Sequence, residues 1–232
     1  MSGTENLGRR LRLGMVGGGR DAFIGGVHRI AARIDDRYEL VAGALSSSPD
    51  KAKASGADLL LAADRAYGSY EEMAKAEAAR DDGIDAVAIV TPNHAHFGPA
   101  KAFLDAGIHV ICDKPLTTTL EDAKALQAAV ESSGLVFGLT HNYTGYPLVR
   151  HAREMVAAGE LGRIRVIQAE YPQDWLSTRL EDDGVKQAEW RTDPSRSGPA
   201  GCVGDIGTHA YNLARFITGL ELEEIAADLH TF

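Results

Sequence analysis

An apolar run at residues 11–16 stops at three glycines, Gly17, Gly18 and Gly19, and a helical pattern follows over about 26–34. A strand that ends on such a turn and feeds a helix leaves the helix-start amides open, so an anionic pyrophosphate can approach the backbone. Gly17-x-Gly19-x-x-Ala22 satisfies the spacing of a dinucleotide fingerprint. Phe23-Ile24-Gly25 comes directly after it, which predicts an enlarged loop with Gly25 as the close-packing glycine and the amides of Phe23 and Ile24 as phosphate donors. Glycines also serve ordinary turns, and it is the position between strand and helix that favours a ligand.

The same alternation continues. Residues 38–45 read as a second strand ending in Ser46-Ser47-Ser48 and Pro49, a helix-start pattern. Ser69 with Glu72, and Thr119 with Asp122, carry capping-box spacing, and Gly107 and Gly134 are placed to end helices. Strands are expected at 84–90, 108–112 and 135–141. Strand and helix in turn predict a doubly wound parallel sheet of Rossmann type over residues 1–142. After about residue 143 the pattern changes to a helix near 148–158, a strand at 164–171, a long loop and a helix at 205–218. A last strand is expected from 224, and residues 143–232 are assigned to a second, α+β domain.

Several function classes drop out. A formal charge of −9, from 33 acidic and 24 basic residues, gives no basic face for nucleic acid. No apolar run approaches the roughly 18 residues of a membrane span, and Cys112 and Cys202 are the only cysteines, so a soluble protein of a reducing cytoplasm is expected. His94 and His96 are two apart with no third ligand nearby, so no metal is expected.

In open parallel sheets ligands collect at the carboxyl ends of the strands. The residues there are Gly17–Gly19, then Ser46 with Lys51 close by, then Thr91-Pro92-Asn93 with His96, then Asp113-Lys114-Pro115. All of these are candidate cofactor contacts. The acid that normally accepts the ribose hydroxyls is missing at the second tip, where a serine stands or simply caps a helix. The expected cofactor is NAD, with NADP left open because Lys51 could meet a 2′-phosphate. Asp205 and His209 are four apart, so an α-helix would set them one turn apart on one face. Such a histidine can take a proton from an alcohol as hydride leaves, with the carboxylate orienting it. The plain alternative is a helix cap and a surface histidine.

With the glycine turn, Thr-Pro-Asn, Asp-Lys-Pro and Gly-Asp-Ile-Gly-Thr-His at 204–209 in view, the chain from about Leu11 onward resembles the Gfo/Idh/MocA family of NAD(P)-dependent oxidoreductases. The resemblance implies a Rossmann domain followed by a domain with an open, mainly antiparallel sheet, and oxidation or reduction of a secondary alcohol in sugars, inositols and related polyols. It assigns Lys114, Asp205 and His209 to catalysis, His209 as the general acid or base, and implies a cis Lys114–Pro115 peptide. Asp113 replaces the family's usual glutamate, so the partner of Lys114 is one methylene shorter. Tyr143, Asp174, Trp175, Trp190, Arg191 and Thr208 are the candidate substrate contacts, the aromatics offering faces to a sugar ring. The enlarged loop and the two tryptophans are similar to the branch with levoglucosan and glucoside 3-dehydrogenases. Family members continue past residue 232, so this chain is expected to be a fragment or a natural truncation, forming a homo-oligomer when full length. The competing reading is a dinucleotide-binding module without turnover.

Overall fold

The computed structural model describes residues 8–230. Five strands, β1 (Leu11–Gly17), β2 (Tyr38–Ala44), β3 (Ala86–Val90), β4 (His109–Cys112) and β5 (Phe137–Leu139), form one parallel sheet in the order β2-β1-β3-β4-β5. The chain therefore lays β2 on one side of β1 and β3 on the other. Gly17 pairs with Val90 in the β1–β3 register, so the glycine turn and Thr91 leave the sheet side by side at the point where the strand order reverses.

Helices α1 (Phe23–Ile34), α2 (Pro49–Asp58), α3 (Tyr70–Ala78), α4 (Phe97–Asp105) and α5 (Leu120–Ser133) make the crossovers. Their boundaries follow local chemistry. Ser69 Oγ accepts from the Glu72 amide at 3.2 Å while Glu72 Oε2 accepts from the Gly68 amide at 3.1 Å, opening α3. Thr119 Oγ1 accepts from the Asp122 amide at 3.1 Å, and Gly134 closes α5 in the left-handed region, where a side chain is disfavoured.

The strands alternate side chains between two apolar layers. Leu13, Met15, Ala86, Ala88 and Val90 face one side, where Ile24 and Ala32 of α1 pack; Val16, Val87 and Ile89 face the other, with Met73, Phe103 and Leu126 of α3, α4 and α5. Under α3 a charge is buried and fully matched: Glu77 accepts from Arg65, from Tyr67 Oη at 2.7 Å and from the Ile84 amide at 3.1 Å. Cys112 is buried at the end of β4, and that burial pushes its thiol up to about 12, so it is not a nucleophile.

The chain divides into two compact units. The first comprises Met1–Thr140 and Leu180–Gly201, the second His141–Arg179 and Cys202–Phe232. The expected change near residue 142 thus falls beside the break at Thr140, but Leu180–Gly201, expected in the second domain, belongs to the first unit. It carries α7 (Lys186–Arg191) and α8 (Pro194–Ser197). In the second unit α6 (Pro147–Ala157) packs on α9 (Thr208–Thr218), with the Arg153 guanidinium 4.5 Å from the centre of the Phe216 ring. The strands expected at 164–171 and from 224 do not form: among the described residues both stretches lack regular structure. Val166, Ile167, Ile225 and Leu229 are exposed. A strand holds its shape by exchanging hydrogen bonds with a neighbour, and no described strand lies beyond Leu139 to supply one.

Candidate functional site

The glycine turn admits no side chain. Gly17 and Gly18 have φ of +79° and +74°; a Cβ on Gly18 would sit 2.9 Å from Gly25 Cα, and one on Gly25 would sit 2.4 Å from Gly18 Cα. Gly25 is therefore the close-packing glycine, which brings the first turn of α1 against the end of β1. Arg29 Nη1 donates to Gly18 O at 2.7 Å and holds the turn from the helix side. Ala22, the residue before α1, makes no side-chain cap, and no acid lies in the first turn. The first-turn amides at Phe23 and Ile24 thus meet no side-chain cap and no acid of their own turn, and this fits the pyrophosphate of a dinucleotide. The Phe23 ring is three-quarters exposed, and Ile24 packs its side chain on the sheet.

At the β2 tip, Gly19 donates to Leu45 O at 3.1 Å and Arg20 N donates to Ser55 Oγ at 3.1 Å, which ties the glycine loop to α2. Ser46 Oγ accepts from the Ser48 amide at 3.2 Å, a local turn that serves the helix start. Lys51, expected to be available to cofactor, is held by Asp21 at 2.8 Å; Arg20 grips Asp58 with two bonds of 2.5 and 2.8 Å. The hydrogen bond from Lys51 holds Asp21 below the usual carboxylate range, and Arg20 does the same to Asp58. Arg20, Asp21, Ser55 and Asp58 carried no signal in the sequence, because the paired residues lie 30 or more positions apart.

At the ends of β3 and β4 the loops are locked to one another. Thr91 Oγ1 donates to Ala95 O at 2.8 Å, and Pro92 begins a single 3-10 turn at Asn93–Ala95. Asn93 is buried, with Nδ2 3.5 Å from Ser197 O, while His94 Nδ1 lies 3.2 Å from Arg196 O. His96 corrects an expectation. Its ring is 0% exposed, with Nδ1 2.7 Å from Pro115 O and Nε2 2.9 Å from Thr91 O, so it joins the two loops and offers a cofactor no surface. Burial holds its imidazole below the usual histidine range, and the two carbonyls pull in the opposite direction.

The Lys114–Pro115 peptide is cis. Asp113 Oδ1 accepts from Thr140 Oγ1 at 2.6 Å and from the Lys114 amide at 3.1 Å, and His28 Nε2 of α1 stands 4.0 Å away. Burial lowers the His28 pKa, which keeps that ring neutral near pH 7. The shorter acid at 113 is thus fixed by a strand-end threonine and its own backbone.

In the second unit His209 is buried, with the Tyr143 ring centred 4.7 Å from its own and the His141 ring edge-on at 5.7 Å. Tyr143 Oη is hydrogen-bonded to Tyr171 Oη, and chiefly through that bond its phenol is pushed up to about 12. Tyr171 and His141 were not singled out from the sequence. Asp205 lies in a π-helical turn, Val203–Gly207, which precedes α9, so the simple α-helical spacing to His209 does not hold. Thr208 bonds back to Gly204 O at 3.2 Å. Asp174 is exposed and Trp175 half-buried in the same unit. Trp190 corrects a second expectation. It lies in the first unit at 6% exposure beside buried Ala188, and the Arg191 guanidinium stacks 4.1 Å from its ring centre. A ring at 6% exposure cannot also serve as an open platform for a sugar.

The comparisons with known proteins agree with this geometry. A family model described as an oxidoreductase family with an NAD-binding Rossmann fold, GFO_IDH_MocA, matches residues 11–141, and its C-terminal domain model matches 149–232. Levoglucosan dehydrogenase of Pseudarthrobacter phenanthrenivorans is 34% identical over 97% of this chain and 55% of its own length. An oxidoreductase structure from Sinorhizobium meliloti is 58% identical, with TM-score 0.83, over 97% of this chain and 56% of that one. An inositol dehydrogenase homolog from Azotobacter vinelandii, complexed with NAD+, is 39% identical with TM-score 0.88 over 94% of this chain and 56% of that one. The chain therefore spans little more than half the length of these relatives.

Proposed function

This chain belongs to the GFO/IDH/MocA oxidoreductase family, with its NAD-binding Rossmann fold, and from that premise we propose that its protein oxidises a secondary alcohol of a sugar, inositol or related polyol. The observation that carries the reading is the uncapped start of α1 behind a glycine turn closed to any Cβ, at the β1–β3 reversal. NAD, when bound, supplies the hydride acceptor. The amides of Phe23 and Ile24 would hold its pyrophosphate, with Thr91, Pro92 and Asn93 at the end of β3 as its further contacts.

Lys114, fixed by the Asp113-supported turn, donates to the oxygen of the reacting hydroxyl and stabilises negative charge as it develops there. His209 removes the hydroxyl proton, and Asp205 orients substrate and histidine. Tyr143 and Tyr171 form an aromatic, hydrogen-bonding surface beside His209 for a polyol ring. Levoglucosan and myo-inositol are the first substrates to try, since relatives carry those names. The test is reduction of NAD+ followed at the nicotinamide absorbance with inositols, glucose and 1,6-anhydroglucose, with Lys114→Ala as control. We expect turnover on at least one of them and a loss of about 10²-fold or more in kcat for the variant. NADH binding without turnover on any polyol would reduce the proposal to a binding module.

A further inference from the structure

In a dinucleotide site, the acid at the tip of the second strand accepts from the ribose 2′-hydroxyl and repels a 2′-phosphate. Residues 45–48 here are Leu-Ser-Ser-Ser, with no acid. Two cations stand at that edge. Arg20 follows Gly19, whose amide is bonded to Leu45 O, and Lys51 lies in the first turn of α2. An arginine fork and a lysine together would make a ready phosphate seat. Both are already engaged: Lys51 Nζ is 2.8 Å from Asp21 Oδ2, and Arg20 forks onto Asp58. Asp21 has a φ of +65°, the left-handed backbone that turns the loop over the start of α2.

We propose that Asp21, through Lys51, and Asp58, through Arg20, set the cofactor preference for NAD over NADP. The inference rests on the reading that the glycine turn binds a dinucleotide. Each carboxylate occupies a cation that a 2′-phosphate would need, and each opposes the phosphate with its own charge. The discrimination usually supplied by one acid on β2 is thus supplied by two acids that act through their partners. A plain ribose would be subject to neither penalty.

The test is titration of NADH and, separately, NADPH onto the chain, followed by nicotinamide fluorescence. The proteins compared are the natural sequence, Asp21→Asn, and Asp21→Asn with Lys51→Ala. Asparagine keeps the shape of the side chain and tolerates the left-handed backbone. The natural chain is expected to bind NADH more tightly. Asp21→Asn should leave the NADH Kd within about twofold and tighten NADPH roughly tenfold, the scale of one charge-assisted hydrogen bond between the released lysine and the 2′-phosphate. Removing Lys51 as well should reverse most of that tightening. An unchanged NADPH-to-NADH ratio in Asp21→Asn, or a natural preference for NADPH, overturns the inference and leaves dinucleotide binding intact. A natural chain that binds neither nucleotide overturns the binding reading, and the inference with it.

Discussion

Replacing His96 with leucine tests whether that ring is the tie between the β3 and β4 loops. The side chains are close in size, so the substitution deletes hydrogen bonds more than it opens a cavity. Thr91 O and Pro115 O face ring nitrogens at 2.9 and 2.7 Å, at a position with 0% exposure where water cannot replace them, and the neutral ring donates its single N–H to one of the two. An unsatisfied buried acceptor costs about 1–3 kcal/mol, so His96→Leu should cost about that much for the one carbonyl that loses its donor. Against a typical domain stability of about 5–15 kcal/mol that is a large but survivable loss. Urea unfolding at pH 7 reads it as a drop in midpoint at unchanged slope. His96→Asn, whose shorter amide can serve one carbonyl, should fall between. NADH affinity of the folded variant should also weaken, since Thr91 and the Lys114–Pro115 turn would no longer be held together. A loss below about 1 kcal/mol with normal NADH binding would refute the tie, because an orphaned buried carbonyl costs at least about that much.

Two further outcomes are expected. His28 and His96 are both held below their usual 6.5 by burial, so the unfolded chain takes up protons from about pH 6.5 downward that the folded chain resists. Stability should therefore be flat above that pH and fall as pH drops through the window below it; a midpoint that rises on acidification from about pH 7 to about pH 5.5 would contradict the assignment. Gly25→Ala would place a methyl 2.4 Å from Gly18 Cα, where only backbone movement can relieve the clash. Loss of measurable NADH binding is expected by fluorescence titration, and retention of natural affinity would mean that the α1 start is not the pyrophosphate seat.

What was legible in the sequence is what local chemistry decides. Ser69, Thr119 and Gly134 fix helix ends through bonds to residues three or four away, and the turn at Gly17 and Gly18 follows from backbone conformations only glycine takes freely. Gly25 was readable from its place in the fingerprint, and its reason is packing: a Cβ there would sit 2.4 Å from Gly18 Cα. Residues 164–171 have the β-branched, apolar character of a strand, but strand formation depends on a partner that composition does not reveal. Trp190 next to Arg191 resembles a sugar platform in sequence, whereas its burial depends on what α7 packs against. His96 looked like one more polar group at a strand end. Only the approach of Pro115, 19 residues later, shows why its two nitrogens point where they do. The Arg20–Asp58 and Lys51–Asp21 pairs are likewise products of the fold and leave no pattern along the chain.

The return of Leu180–Gly201 to the first unit has a bearing on how the protein is made. A ribosome delivers all five strands by residue 139, yet the unit they belong to is unfinished until Gly201 has emerged. Until then Ala188 and Trp190 are not yet part of it, and Asn93 and His94 wait for the carbonyls of Ser197 and Arg196. The nascent sheet must pass roughly 60 residues of synthesis with that seat open, an interval of several seconds at usual elongation rates. Cutting the gene at the end of β5 would make this transient state permanent.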